Sequence, residues 1–449
     1  MNDANDWIAH LLGQRARPDG SDDGCACALE TRTSLIGLES VPRPSPKPEN
    51  DAETDDARWR RASEVIVAFA HLEAAPEAPR GTREPSLRIE EMVARCLVAL
   101  SGDAMEEATA AARSATRAAY AEQLRWQEYF AYWALCRVRR RTGNVFSAAR
   151  IAGALARAAP QPWWPLVDWE LVLSGGDERT AQRPLTAPAS HWRTLCQAAL
   201  AGDAELAASS RAHLEAFPLV PRFARERDLL CLGFEQVRAD EIPWIRSVAG
   251  PLHETAERLG RTPAVWEVRP DAEARLRWCV APLTGEPVGF GAGERVQMAI
   301  AALVQVGVRG LEEAALFRRV YGFEYDTATH DGLLRVLLHR LRAEISTHAE
   351  VDRVEGRLLL RATHPMVCPE PRTAPTFGDR LLRLVALHPG STARDLAERV
   401  QVGVRSVQRT LRSLGASGAC RSFKDGRTLL FEVEDTTFSE PTDFPGVAS

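Results

Sequence analysis

The sequence predicts a mainly α-helical chain whose last third carries two small α+β modules. Three observations lead there. Between residues 58 and 240, alanine and leucine dominate and apolar residues recur at three- and four-residue spacing, the period of one helix face. Residues 294–362 and 377–433 each read as three helical stretches followed by strand, turn and strand. The length of 449 residues exceeds one ordinary core and favours several domains.

Residues 1–55 are rich in Asp, Gly, Ser and Pro and include Val41-Pro42-Arg43-Pro44-Ser45-Pro46-Lys47-Pro48. Alternating prolines favour extended backbone and bury no core, so a disordered tail is expected here. Over 58–240 a turn signal recurs at Leu100-Ser101-Gly102-Asp103, Thr142-Gly143-Asn144, Ser174-Gly175-Gly176-Asp177 and Ala201-Gly202-Asp203. In each, glycine is expected to end one helix, and Asp or Asn to cap the next. Small residues such as Ala108, Ala148, Ala149, Ala207 and Ala208 let neighbouring helices approach closely. Aromatics gather in Trp126, Tyr129, Phe130, Tyr132 and Trp133, and in Trp163, Trp164 and Trp169. They read first as core and second as the lining of a groove. Although its spacing is irregular, this succession of helical hairpins resembles the tetratricopeptide repeat, hence a TPR-like array. The resemblance implies a surface for a protein or peptide partner.

Prolines at 243, 251, 263, 270, 282 and 287 break the helical pattern. Residues 276–280 and 286–290 read as two strands joined by a turn at Leu283-Thr284-Gly285. Helices are expected at 295–306, 311–321 and 330–345, the last burying Leu334, Leu338, Leu341 and Ile345, followed by a hairpin at 351–360. Through Leu316-Phe317-Arg318-Arg319-Val320-Tyr321-Gly322, the run from His330-Asp331 to Arg340-Leu341-Arg342, and Val354-Glu355-Gly356-Arg357, the segment 264–364 resembles the OmpR/PhoB-type winged-helix effector domain. That resemblance implies a third helix turned to DNA, on which Arg335, His339 and Arg342 form one stripe at i, i+4 and i+7. The segment departs from the family in three ways. Leu333 and Leu337 stand where polar side chains are expected, the wing carries Glu355 where a basic residue often sits, and ten arginines in 294–362 are balanced by ten acidic residues. Exposed leucines would instead offer an interdomain contact or a homodimer interface.

A proline-rich joint at 365–375 precedes the sharper module, 375–435. Helices are expected at 377–387, 393–400 and 404–414. His388-Pro389-Gly390 stops the first, Ser391 or Thr392 caps the second, and Gln401-Val402-Gly403 makes the turn into the third. Val404, Val407, Leu411 and Leu414 form the third helix's buried stripe, which leaves Arg405, Ser406, Gln408, Arg409 and Arg412 outward. A hairpin follows, with Asp425-Gly426 as its turn and Lys424 and Arg427 at its tip. The stretch Ser391-Thr392-Ala393-Arg394-Asp395-Leu396-Ala397-Glu398-Arg399-Val400-Gln401-Val402-Gly403-Val404-Arg405-Ser406-Val407-Gln408-Arg409-Thr410-Leu411 resembles the DeoR-type winged helix-turn-helix. It implies a recognition helix at 404–414. There arginine pairs with guanine, Gln408 with adenine, and Thr392, Lys424 and Arg427 contact double-stranded DNA alongside. Residues 436–449 read as a second disordered tail.

The charge agrees with a local interface. Residues 375–433 hold nine Arg and one Lys against five acidic residues, a surplus of +5, whereas the whole chain is at −5. The chain is therefore no polycation, and DNA affinity must come from this patch. No apolar run is long enough to span a bilayer, and the acidic start resembles no secretory signal, so a cytoplasmic location with no membrane partner is expected. Nine scattered cysteines, of which only Cys25 and Cys27 are close, imply reduced thiols and no metal site. There is no GxxxxGK[ST], HExxH or GxSxG, so no enzyme and no cofactor are expected. The sequence therefore points to a non-catalytic, DNA-binding regulator of transcription with a helical partner-binding region. The alternative is an adaptor in which the array and both modules bind proteins.

Overall fold

The computed structural model describes residues 54–231 without Gly202, 264–278 and 285–439, together with Leu35, Gly37 and Leu38. The readings of the remaining residues, including most of 1–55, the prolines of 241–263, the turn at 283–284 and the tail beyond 439, lie outside the described residues. The described chain is mainly helical, with sixteen α-helices and three small sheets confined to its C-terminal part. None of those helices is long and apolar enough to cross a membrane. The chain divides into two compact units. The first comprises 1–193, 210–227 and 376–449, and the second 194–209 and 228–375.

The N-terminal helices run α1 (Asp55–His71), α2 (Pro85–Ser101), α3 (Met105–Ala121), α4 (Arg125–Arg141), α5 (Val145–Ala158), α6 (Trp164–Leu173), α7 (Glu178–Ala181), α8 (Ala187–Ala201), α9 (Ala204–Ala216) and α10 (Pro221–Cys231). From α1 to α6 each helix packs on the next. The aromatics form core, except that Tyr132 and Trp164 are half-buried. Trp126, Trp133, Trp163 and Trp169 are fully buried, Phe130 stacks on Trp133 at 5.3 Å, and Trp126 meets Trp163 edge-on at 4.7 Å. Leu35 and Leu38, within the stretch read as tail, are also buried, and Leu38 accepts the amide of Val220.

The turns correct part of the capping pattern. Asp177 and Asp203 do cap, accepting the amides of Arg179 and Leu206 at 3.0 Å. Asp103 does not, because it occupies the left-handed region at φ 60° and Ala104 becomes the cap. Asn144 stands at the cap position of α5 but makes no cap bond. Its amide donates to Thr142 instead.

In the second unit, β1 (Ala264–Val268) and β2 (Arg275–Trp278) are antiparallel, and β3 is Glu286–Pro287. They are followed by α11 (Glu294–Val306), β4 (Leu311–Glu312), α12 (Glu313–Tyr321), α13 (Thr327–Ile345), β5 (Ala349–Val354), β6 (Arg357–Ala362) and β7 (Met366–Pro369). The expected hairpin between 276–280 and 286–290 does not form. β2 pairs with β1, whereas β3 lies parallel to β7 in a sheet ordered β2-β1-β7-β3. β7 was hidden in the proline-rich joint, but Met366, Val367 and Cys368 are buried. An apolar trio with a buried place on a sheet outweighs the prolines beside it. On α13, Leu334, Leu338, Leu341 and Ile345 are buried as the helical period requires, but so is Leu337 at 3% exposure. Of the two leucines expected at the surface, only Leu333 is exposed.

The first unit ends with α14 (Phe377–Leu387), β8 (Ser391–Thr392), α15 (Ala393–Val400), α16 (Val404–Ala416), β9 (Cys420–Asp425) and β10 (Thr428–Val433), with the strands ordered β8-β10-β9. Leu381, Leu382, Val385, Leu396, Val407, Leu411, Leu414 and Phe431 make its core, and Phe146 of α5 packs against it.

The array also holds a buried ionic network. Arg137 pairs with Glu170 and Glu226, Arg140 bonds Glu170 at 2.8 Å, and Trp169 donates its indole N–H to Glu226 at 2.8 Å. These four charged groups are at most 4% exposed. Burial alone would raise the Glu226 pKa, but Arg137 and Arg140 outweigh it and hold the carboxyl below its usual range. The stability this group contributes is therefore present above the ordinary glutamate range and is lost as pH falls through the lowered value. Replacing Glu226 by Ala leaves two buried guanidinium groups sharing the single carboxylate of Glu170 and should cost about 3 kcal/mol at pH 7, read as a lowered urea midpoint. Burial also pushes the Cys96 and Cys136 thiols up to about 12, so neither should be alkylated by iodoacetamide at pH 8 until the chain is unfolded.

Candidate nucleic-acid interface

α15 starts in a capping box. The Thr392 hydroxyl accepts the Asp395 amide at 3.2 Å and donates to its carboxylate at 2.8 Å, while the carboxylate accepts the Thr392 amide at 3.0 Å. The backbone and side chain of Thr392 hold the Asp395 carboxyl below its usual range. Thr392 is half-buried, and its hydroxyl proton is already committed to this box. Gln401, in the left-handed region at φ 53°, closes α15, and Gly403 starts α16.

α16 buries Val407, Leu411 and Leu414. Val404 was expected to begin that stripe but is 38% exposed, because the core closes one turn later at Val407. Arg405, Gln408, Arg409 and Arg412 are exposed and Ser406 is half-buried. The arginine face divides between two hollows. Gln408 and Arg412 line one of about 310 Å³ between α16 and the β9–β10 hairpin, with Arg421, Leu429 and Phe431 opposite. Arg409 lines another of about 720 Å³, shared with Glu106 and Thr109 of α3 and Thr376.

The hairpin turn is displaced by one residue from the expected one. Asp425 pairs with Thr428, so the two-residue loop is Gly426-Arg427. Gly426 sits at φ 59°, which a side chain at the first loop position would resist. Lys424 lies on β9 opposite Leu429, and both Lys424 and Arg427 are exposed.

Ion pairing separates the two modules. Among the described residues, Arg405, Arg409, Arg412, Lys424 and Arg427 have no carboxylate within 4.0 Å, whereas Arg394 and Arg421 beside them pair with Glu398 and Glu432. In the second unit Arg318, Arg353, Arg357 and Arg361 pair with Glu324, Glu313, Glu312 and Asp352. Arg335 of the expected α13 stripe is bonded to Asp331 at 2.7 Å. Arg342 and His339 are exposed, and Arg342 reaches the Val351 carbonyl at 3.4 Å. The α13 stripe thus exists as a face, but with one of its charges already neutralised.

Other residues at the site carry no sequence signal. Asp379 of α14 is buried and accepts the Phe146 amide at 2.9 and 3.1 Å, so a residue from the far end of the chain caps α5. Asn144 is thereby released from capping, and its side-chain oxygen accepts the Thr376 hydroxyl at 3.1 Å. At the other end, Arg113 of α3 and Arg139 of α4 donate to the carbonyls of Ala416 and Ser417. Those are carbonyls a helix C-terminus leaves open, where cations are favoured. Residues 436–439, read as the start of a tail, are held against α4. Tyr132 donates to the Thr437 carbonyl at 3.1 Å, and the Glu128 carboxylate accepts the Ser439 amide and hydroxyl. Among the described residues, no group of three or more His, Cys, Asp or Glu is placed to hold a metal ion.

Replacing Thr392 by Ala removes the box and should cost about 1 kcal/mol of stability, measured by urea unfolding at pH 7. The lowered Asp395 pKa fixes the sign with pH. The cap stabilises above the ordinary aspartate range and stops doing so as pH falls through the lowered value, so the wild-type advantage should shrink on acidification.

In comparison with known proteins, the chain matches no family model, no curated protein and no solved structure.

Proposed function

We propose that this chain is a sequence-specific DNA-binding regulator of transcription, in which the α14–β10 module is a winged helix. α16 is its recognition helix and the β9–β10 hairpin its wing. The observation that carries this reading is the set of exposed, unpaired cations Arg405, Arg409, Arg412, Lys424 and Arg427 on one helix and one hairpin tip. Guanidinium groups without an internal partner keep both their charge and their hydrogen-bond donors for phosphates and base edges. The likeness of 391–411 to the DeoR-type motif supports the same assignment.

We read 264–369 as an OmpR/PhoB-like winged helix in which Arg318, Arg335, Arg353, Arg357 and Arg361 are already paired with carboxylates. In this reading that module contributes less to DNA affinity. The TPR-like helical array receives a protein or peptide partner.

Fluorescence anisotropy of the full chain with a pool of labelled duplexes, across a salt series, tests the proposal. Binding should be tightest at low salt, and each phosphate contact removed should flatten the logarithmic salt slope by about 0.9. Arg405→Ala and Arg409→Ala should each weaken binding to the preferred sequence by about 1–3 kcal/mol. Arg335→Ala should change it little, since its partner is Asp331. No affinity at low salt, or full affinity in the Arg405/Arg409 double variant, would overturn the proposal in favour of a protein-binding adaptor.

A further inference from the structure

A second basic site adjoins the hollow that Arg409 lines and shares Arg113 and Arg139 with it. It is a cavity of about 260 Å³ walled by α3, α4, α5 and the segment after β10. Arg113, Arg117, Arg139 and Arg150 all line it, with Tyr120 and Tyr132 among its other walls. The charges are not balanced. Asp435 is taken by Arg150, which leaves Glu434 as the other acidic residue of the lining. Arg139 is the most constrained member. It is 6% exposed, has no carboxylate within 4.0 Å among the described residues, and its Nε has no hydrogen-bond partner. Among the described residues, its guanidinium donates one hydrogen bond, to the Ser417 carbonyl, a neutral acceptor. Burial, and then the neighbouring Arg113, push the Arg139 pKa down to about 10. Arg113 is lowered too, by burial and by Arg117, despite the pull of Glu434.

A buried guanidinium without a counter-charge is costly, and proteins tolerate it where an anion completes the site. We propose that this cavity binds a small polyanion carrying at least two negatively charged oxygen groups, held by Arg113, Arg117 and Arg139. The depth of Arg139 restricts the ligand to a molecule that enters the cavity. The guanidinium geometry suits phosphate and carboxylate alike, through paired N–H donors. Arg113 and Arg139 also line the hollow that Arg409 lines, so Arg117, which lines this cavity and not that hollow, separates the site from the DNA-binding proposal.

Isothermal titration of the full-length protein, without DNA and at low ionic strength, tests it with two probes, inorganic pyrophosphate and citrate. One-to-one binding of either supports the site, and the tighter of the two identifies the source as phosphate- or carboxylate-bearing. Arg139→Gln should abolish binding, and Arg117→Gln should weaken it roughly tenfold, the worth of one charge-assisted bond. Arg394→Gln, on α15, should leave it unchanged. Arg139 also caps α16, so its variant is read only if circular dichroism matches wild type. Arg117 is exposed, and its variant decides the question otherwise. No binding of either probe, or binding that Arg117→Gln leaves intact, overturns the proposal.

Discussion

The C-terminal module is tied to the helical array by hydrogen bonds made at helix ends, and the first unit depends on that arrangement. A helix leaves amides open at its start and carbonyls open at its finish, and buried ends must find partners. Here the partners are exchanged across the chain. Asp379 of α14 caps the start of α5, while Arg113 and Arg139 from α3 and α4 cap the finish of α16. Each bond joins residues more than 200 positions apart and satisfies a group that would otherwise be orphaned. Phe146 then packs against the core of the module, so the polar exchange and the apolar contact reinforce one another at the same place.

The arrangement has an electrostatic consequence for α16. Two arginines sit at its negative C-terminal end, and three more of its own face outward without acidic partners among the described residues. A cluster of unpaired cations is expensive by self-repulsion and is relieved by an anionic partner. The second unit shows the opposite solution. Arg318, Arg335, Arg353, Arg357 and Arg361 there face carboxylates across short strands and helix turns, so part of its positive charge is already neutralised. The two modules share an order of elements but differ in how much charge remains to be satisfied from outside. That difference, more than topology, separates their proposed contributions to DNA binding.

Inside the array, a similar contrast distinguishes two kinds of buried arginine. Arg137 and Arg140 are locked to Glu170 and Glu226, a closed network that asks nothing of a ligand. Arg139, one residue along the same helix from Arg140, faces another way and meets only a carbonyl. Neighbouring positions on a helix point about 100° apart, so adjacent arginines can serve a sealed core and an open cavity at once. The run Arg139-Arg140-Arg141 gives no hint of this division in the sequence.

Much of the local structure could be read from the sequence. The bounds of α14 and α15, the start of α16 and the extent of its hairpin follow from helix periodicity, a Ser or Thr cap, a His-Pro-Gly stop and a glycine at the hairpin turn, all of which act within a few residues. The outward placement of Arg405, Gln408, Arg409 and Arg412 follows from the same period. Tertiary contact decided the rest. β7 emerged from a proline-rich stretch because a sheet needed its buried trio, and Leu337 turned inward where a surface residue was expected. Asn144 lost its cap to Asp379, Arg335 found Asp331, and residues 436–439 became a packed strap. These outcomes depend on which distant groups arrive beside one another. Sequence spacing encodes the faces of single elements, but only folding determines which charges on those faces are already satisfied and which remain for a partner.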